Sequence, residues 1–413
     1  MSKENIVIGL DLGTSQIRTI VAQIQGDESR PLVLGVGVAP SAGINNGVVV
    51  DIEETINAIN KSKEEAERIA GVPVEHAFVS INGKHIESQF SKGVVAVSRA
   101  DGEISEEDVN RVISAAQAIS VPTNKEIINV IPCSYTIDGQ EQIKYPVGMN
   151  GVRLEVNALL IQGAAPFIKN LEKCVRQRCG IDIDDLIFAP MAATKAVVSR
   201  RQKELGVVVV DLGKETTGIS VYEDGNILGV KVIPIGSGHI TNDIAIGLRT
   251  SIDVAERIKL EYGNAIPADV ARTEEIDLSE IDSGEEGVFK RQYIAEIIEA
   301  RVEEIFSMVD DELKKLDKSG MLPAGVVVTG GGAKLPGIVN LAKKVLRLPA
   351  QIGYPMEMNG IVDKIDDPEF ATSVGLLLWE ADDNGIFAPE KNSGIDFGGL
   401  GKKITGIIKN ILP

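Results

Sequence analysis

The stretch Gly206-Val-Val-Val-Val-Asp-Leu-Gly-Lys-Glu-Thr-Thr-Gly-Ile-Ser-Val-Tyr-Glu-Asp-Gly225 decides how this chain is read. Four consecutive valines bounded by turn residues predict a strand buried on both faces. Asp211 and Gly213 end it in a tight turn, and residues 216–222 predict the returning strand. Gly213 lets backbone come close to a ligand, and Thr216 and Thr217 add hydroxyl donors. Successive N–H groups exposed in such a turn make a concavity for anions. A carboxylate at the strand end repels phosphate, but it can hold a hydrated Mg²⁺ that phosphate binds.

The same unit stands near the N-terminus as Ile6-Val-Ile-Gly-Leu-Asp-Leu-Gly-Thr-Ser-Gln-Ile-Arg-Thr-Ile-Val-Ala22. Asp11 and Asp211 lie 200 residues apart, each in Asp-Leu-Gly between two apolar runs. One such hairpin says little, because Asp-x-Gly turns are common. Two in the same register point to a duplicated domain whose halves clamp a polyphosphate. A third element is Val326-Val-Val-Thr-Gly-Gly-Gly-Ala-Lys-Leu-Pro-Gly-Ile338. It predicts a strand, a three-glycine turn and a helix with Pro336 in its first turn, a flat backbone surface beside a helix N-terminus.

Together these motifs resemble the superfamily of actin, heat-shock chaperones and sugar kinases. The resemblance implies an α/β, actin-like fold: two RNase H-like halves around a nucleotide cleft that takes ATP and Mg²⁺.

The bulk numbers agree with a globular protein, at 44% hydrophobic and 25% charged residues. A net charge of −18 argues against a nucleic-acid partner, which calls for a basic surface. Cys133, Cys174, Cys179 and the three histidines show no metal-ligand spacing, so buried reduced thiols are expected. No signal peptide and no run of about 18 apolar residues is visible, and the expectation is a cytoplasmic protein.

Along the chain, strands are expected at 6–11, 16–25 and 31–38, a helix capped by Asp51 running to about residue 70, and a strand at 76–81. Residues 83–162 then read as a small α/β insertion. It has strands at 93–98, 127–137 and 154–161 and a helix opened by the capping pair Ser105 and Asp108. It holds no catalytic cluster, so an interaction surface is expected. A helix at 165–180, a strand at 183–188 and the Pro190 turn lead to the second half. There a Gly-rich helix start, a helix at 251–262 and a long amphipathic helix at 290–316 follow. Residues 274–286, with seven acids, read as a solvated loop or edge, and 335–346 and 370–380 as closing helices.

The domain expectation is therefore 1–82 and 163–203 for the first half, 83–162 for the insertion, and 204–370 for the second half, with a subdomain at 240–315. A closing helix at 371–380 and a polar linker at 381–396 come next. In 397–413, Phe397, Leu400, Ile404, Ile407, Ile408, Ile411 and Leu412 fall on one helical face, with Lys402, Lys403 and Lys409 on the other. A tethered basic amphipathic helix on a −18 protein predicts an anionic membrane surface.

With that, the whole chain resembles the FtsA family of actin-like cell-division proteins. The insertion after Ser80-Ile-Asn-Gly-Lys-His-Ile86, its segments 127–140 and 146–155, and the terminal helix carry the resemblance. Pilus-assembly relatives share the insertion, here the 1C domain, but lack the helix.

The resemblance implies phosphate contacts at Asp11, Gly13, Thr14, Ser15 and Arg18, with Asp11 and Asp211 holding Mg²⁺ through water. Asp211, Gly213, Lys214, Thr216 and Thr217 form the opposing loop. Gly236 and Gly238 lie by the sugar, Glu256 and Lys259 by ribose and adenine, and Gly330, Gly331 and Gly332 by the base and α-phosphate.

It further implies filaments of the chain with itself, contact with other division proteins, and a tether for the FtsZ C-terminal tail on the 2B region of the second half. The place is the cytoplasmic face of the membrane at the septum. Where the bacterial actin MreB has a water-orienting Glu, this chain has Phe188-Ala189, so slow or no ATP hydrolysis is expected. A pilus-type scaffold and a sugar-kinase or chaperone-like ATPase are the alternatives.

Overall fold

The computed structural model describes residues 6–24, 30–118, 122–356 and 358–379. The expected linker at 381–396 and amphipathic helix at 397–413 lie outside the described residues. So do residue 25 of the second expected strand and residue 380 of the closing helix.

Val207 to Val210 are each at most 1% exposed, as a β-branched run between two neighbouring strands should be. Their strand, Val207–Leu212, is central in a five-stranded sheet. The order is Asn226–Ile233, Thr217–Glu223, Val207–Leu212, Gly325–Thr329 and Ala350–Ile352. The first three are antiparallel and the last two join in parallel. The N-terminal sheet repeats this plan as Leu32–Pro40, Gln16–Gln23, Ile6–Leu12, His76–Ile81 and Asp182–Phe188. Its pairings are antiparallel and parallel at the same places. The duplication read from two aspartates therefore extends through both sheets. A short sixth strand, Asn359–Gly360, returns from the second half to pair in parallel with Leu32–Pro40.

The expected caps hold the first helix, Ile52–Ala70. Asp51 accepts from the N–H of Glu54 at 3.0 Å, and Gly71 closes the helix at φ 71°. Two helices join the halves. Ala189–Val197 leaves the first sheet and packs on both, and Ala371–Leu377 returns and packs on Ala189–Val197 and on Ile6–Leu12.

The insertion is a four-stranded antiparallel sheet, ordered Glu87–Ala96, Arg153–Ala164, Lys125–Ile137 and Gln140–Ile143. The helix Glu106–Gln117 lies on one face over a separate small core. Ser105 and Asp108 cap it reciprocally, as their spacing predicts.

Four local readings change. The first insertion strand starts at Glu87 rather than 93, and the short strand Gln140–Ile143 carries no signal that survives its polar composition. The helix expected over 165–180 is α-helical only through Glu172 and widens to a π-turn at Lys173–Arg178. The helix expected at 335 starts at Ile338, because Gly331–Lys334 forms a 3-10 turn and Pro336 and Gly337 intervene. The acidic 274–286 stretch, expected as a solvated loop or edge, is an edge ribbon, Glu275–Asp277 with Val288–Lys290, joined by one helical turn. Its acids face solvent while Ile276, Leu278 and Ile281 are buried.

Cys174 and Cys179 are buried and Cys133 half-buried, all as free thiols. Burial pushes Cys133 and Cys179 up to about 11, which keeps them protonated and unreactive.

Candidate functional site

Strand register places Asp11 directly across from Arg18. The guanidinium lies 3.9 Å from the Asp11 carboxylate, and Ser80 donates its hydroxyl to Asp11 at 2.8 Å. Ser80 in turn accepts from the N–H of Leu12 at 2.8 Å, so the turn after Asp11 is tied to the neighbouring strand. Burial raises the Asp11 pKa, and Arg18 and Ser80 oppose it. Arg18 reaches further. It contacts Glu369 at 3.1 Å, donates to Gln16 at 2.7 Å and lies over the ring of Phe370 at 5.0 Å. Its Nε is buried without a partner among the described residues.

Asp211 comes from the second sheet to the same place. It is pushed up to about 7, first by burial and then by the negative charge of Asp11. Arg18 and a hydrogen bond from the Thr372 hydroxyl offset only part of this. The three-glycine turn closes in from the third side. Gly330 has φ 81°, and a Cβ there would strike the Asp211 carboxylate, so only glycine serves. A Cβ at Gly332 would strike Leu212, whereas Gly331 faces open space.

Along the second half the expected residues form a continuous wall. Ser237 N–H donates to the Gly213 carbonyl at 2.8 Å and Gly238 N–H to the Lys214 carbonyl at 2.7 Å. This fixes Gly236 and Gly238 against the hairpin turn. Lys259 donates to Glu256 at 2.7 Å, to Thr241 at 2.9 Å and to the Ser237 carbonyl at 3.3 Å. Burial raises the Glu256 pKa, but bonds from Lys259 and Thr241 outweigh it and leave a carboxylate. Lys214 is near enough to act electrostatically on both Glu256 and Lys259.

On the first half, Gly13 and Thr14 are half-buried in the turn and Ser15 is exposed at its tip. Across the cleft, Asn82 donates to the Thr216 hydroxyl at 3.3 Å, and the Asn46 N–H donates to the Glu215 carboxylate. Thr217 does not face the cleft. It is fully buried and donates to the Ile235 carbonyl at 2.7 Å, so it anchors the next strand.

Two buried carboxylates converge here with one arginine, and burial together with the charge of Asp11 pushes Asp211 up to about 7. That is what a cation bound through water would relieve, and the residues fit Mg²⁺ on that ground. Among the described residues no cluster of three or more potential metal ligands exists. Phe188 is fully buried in the first core, and neither it nor Ala189 can orient a water.

Sequence reading missed Ser80, Thr241, Glu369 and Thr372. Ser80 carried a faint signal as a lone hydroxyl in the apolar strand His76–Ile81.

The family described as Cell division protein FtsA matches residues 208–375, and the SHS2 domain inserted in FTSA matches residues 83–162. The FtsA of Bacillus subtilis is 41% identical over 377 residues, covering 91% of this chain and 84% of that protein. The FtsA of Escherichia coli K12 is 34% identical over 413 residues, covering 98% and 97%. Among solved structures, a PilM-PilN type IV pilus biogenesis complex superposes with a TM-score of 0.65 at 16% identity, covering 91% of this chain and 98% of that one. MreB 5 of Spiroplasma citri bound to AMPPNP gives a TM-score of 0.54 at 15% identity, covering 92% and 96%. The fold is thus actin-like with an inserted SHS2 domain.

Proposed function

Because this chain belongs to the FtsA family of cell division proteins, we propose that it binds Mg·ATP in the cleft between its halves, polymerises, and tethers FtsZ to the membrane. The observation that carries the nucleotide part is the convergence of Asp11 and Asp211 from duplicated hairpins, with Asp211 at about 7. Bound Mg²⁺ would supply the positive charge that the pair lacks. Asp11 and Asp211 would hold it through water, and the turns at Gly13 to Ser15 and Gly213 to Thr216 would offer N–H and hydroxyl donors to phosphates. Lys259, Glu256 and the Gly236–Gly238 backbone would line the sugar side, and Gly330 to Gly332 the base. The structure of MreB 5 of Spiroplasma citri bound to AMPPNP supports a nucleotide in this fold.

Hydrolysis is slow or absent in this reading, since Phe188-Ala189 supply no carboxylate to orient water. Phosphate release should stay well below the usual enzyme range of about 1–10³ s⁻¹.

Assembly is assigned to the 83–162 domain against the second half of the next subunit, and the FtsZ C-terminal tail to the 240–315 region. Among the described residues no helix is long and apolar enough to cross a membrane. Residues 400–412 would make roughly 20 Å of helix at ~1.5 Å per residue, short of the ~30 Å hydrocarbon core. They would lie in the interface, with Ile408 central on the apolar face and the lysines on anionic headgroups. The site of action would be the cytoplasmic face of the membrane at the septum.

Sedimentation with anionic vesicles in Mg·ATP tests the reading. The full chain is expected to pellet, and Ile408→Glu to stay in the supernatant. Equal pelleting of both would reject the anchor, and calorimetry showing no Mg·ATP binding by the full chain would reject the cleft assignment.

A further inference from the structure

One short segment has partners on the first half and on the three-glycine turn of the second. Running from Asp367 to Thr372, it lies between the halves and has partners in both. Glu369 holds Arg18 at 3.1 Å, and Phe370 lies under the same guanidinium at 5.0 Å. The Thr372 hydroxyl lies near enough to Asp211 to favour its charged form. The Pro368 carbonyl accepts from the Gly330 N–H and from the Thr329 hydroxyl, each at 3.1 Å. Asp367 pairs with Lys334, just past the glycine turn, at 2.6 Å.

The chain after this segment is stiff. The helix Ala371–Leu377 is buried at every position. Its Gly375 packs backbone against backbone on Ala192, where a Cβ would overlap the Ala192 carbonyl. Trp379, the single tryptophan of the chain, ends the described residues. It is buried under Lys195, whose ammonium lies 5.1 Å from the ring centre and donates to the Trp379 carbonyl at 3.3 Å.

We propose that Asp367–Thr372 is the floor of the nucleotide site and its sensor, reporting occupancy through the Ala371–Leu377 helix to Trp379, where the C-terminal tail begins. The proposal rests on the nucleotide reading above.

The physical reason is competition for shared partners. An anion beside Arg18 competes with Glu369 for the guanidinium, and a cation beside Asp211 competes with the Thr372 hydroxyl for the carboxylate. Both exchanges loosen contacts made by the same six residues. A helix packed this closely cannot absorb the change by deforming, so the movement is passed on. Glu369 is a positioning residue in this scheme, since it acts through Arg18.

Trp379 emission tests the sensor in the full chain. Titration with Mg·ADP should change its intensity or wavelength, with a midpoint matching the Kd from calorimetry. In Glu369→Gln and in Thr372→Val, the change at saturating Mg·ADP should fall at least threefold. Glu369→Asp, which keeps the charge, should recover at least half of it. Unchanged far-ultraviolet dichroism would show that both variants are folded. If the wild type binds Mg·ADP by calorimetry and Trp379 does not respond, or if both variants respond as fully as the wild type, the sensor is wrong while the nucleotide site stands. If the wild type binds no Mg·ADP at all, the site reading falls and the sensor with it.

Discussion

The two aspartate hairpins share a fold and a register, and they differ in what stands opposite the aspartate. Asp11 faces Arg18 across the strand pair, whereas Asp211 faces Gly218. Asp11 therefore has a charge partner built in. Asp211 has only the Thr372 hydroxyl and the distant help of Arg18, and it sits at about 7. Gly218 is small for its own reason. A Cβ there would come within 2.5 Å of Pro190, at the start of the helix that joins the halves. The residue opposite Asp211 is thus held to glycine by the joint and offers it no counterion. The halves are thus copies in backbone but unequal in charge.

Substitution at the two aspartates should separate them most widely. Asp211→Asn should weaken Mg·ADP at least ~100-fold, about 2.7 kcal/mol. The same change should stabilise the nucleotide-free protein at pH 8, because it removes an unpaired buried charge. Asp11→Asn should instead lower that stability, since it leaves Arg18 short of a partner. Calorimetry and thermal melts read both effects. Equal shifts of the same sign at the two positions would erase the distinction.

The pH dependence is the next largest effect. The Asp211 carboxyl is raised in the folded chain, so its contribution to stability is full below the unfolded value of 3.8 and lost as pH rises through about 7. Between pH 5.5 and 7.5 the wild type should lose roughly 2 kcal/mol relative to Asp211→Asn, at ~1.4 kcal/mol per unit. Denaturant melts without metal or nucleotide would show it. Parallel curves for the two proteins would place the Asp211 pKa near its ordinary value.

Gly218→Ala asks whether the joint explains the missing counterion. Overpacking against Pro190 should cost about 1–3 kcal/mol. A variant as stable as wild type would leave the asymmetry without its steric cause. The smallest effect should come from Thr217→Val, which removes a donor from the buried Ile235 carbonyl. A loss of about 1 kcal/mol in stability is expected, with little change in Mg·ADP affinity.

Much of this frame was legible in the sequence because it rests on local rules. The valine run, the Asp-Leu-Gly turns, the Asp51 cap and the Ser105–Asp108 pair each act within a few residues. The charge asymmetry was not legible in the same way. It depends on which residue falls opposite each aspartate, which is set by strand register. Thr216 and Thr217 illustrate this: neighbours on a strand point to opposite faces, so only one could reach the cleft. Ser80 and Thr372 arrive from distant segments; Ser80 is marked only faintly, as a lone hydroxyl in an apolar strand, and nothing near Thr372 in sequence marks it as a site residue. In 274–286 the acid count concealed three buried apolar residues that fix the ribbon in place.

Proton release on binding tests the cation seat most directly. Calorimetry of Mg·ADP with the full wild-type chain, in buffers of differing ionisation heat, counts the protons that leave. At pH 6.5 most Asp211 carboxyls carry a proton that Mg²⁺ must expel, so more than half a proton per site should be released. At pH 8.5 the release should be close to zero. Release near zero at both pH values would contradict Asp211 as the cation seat.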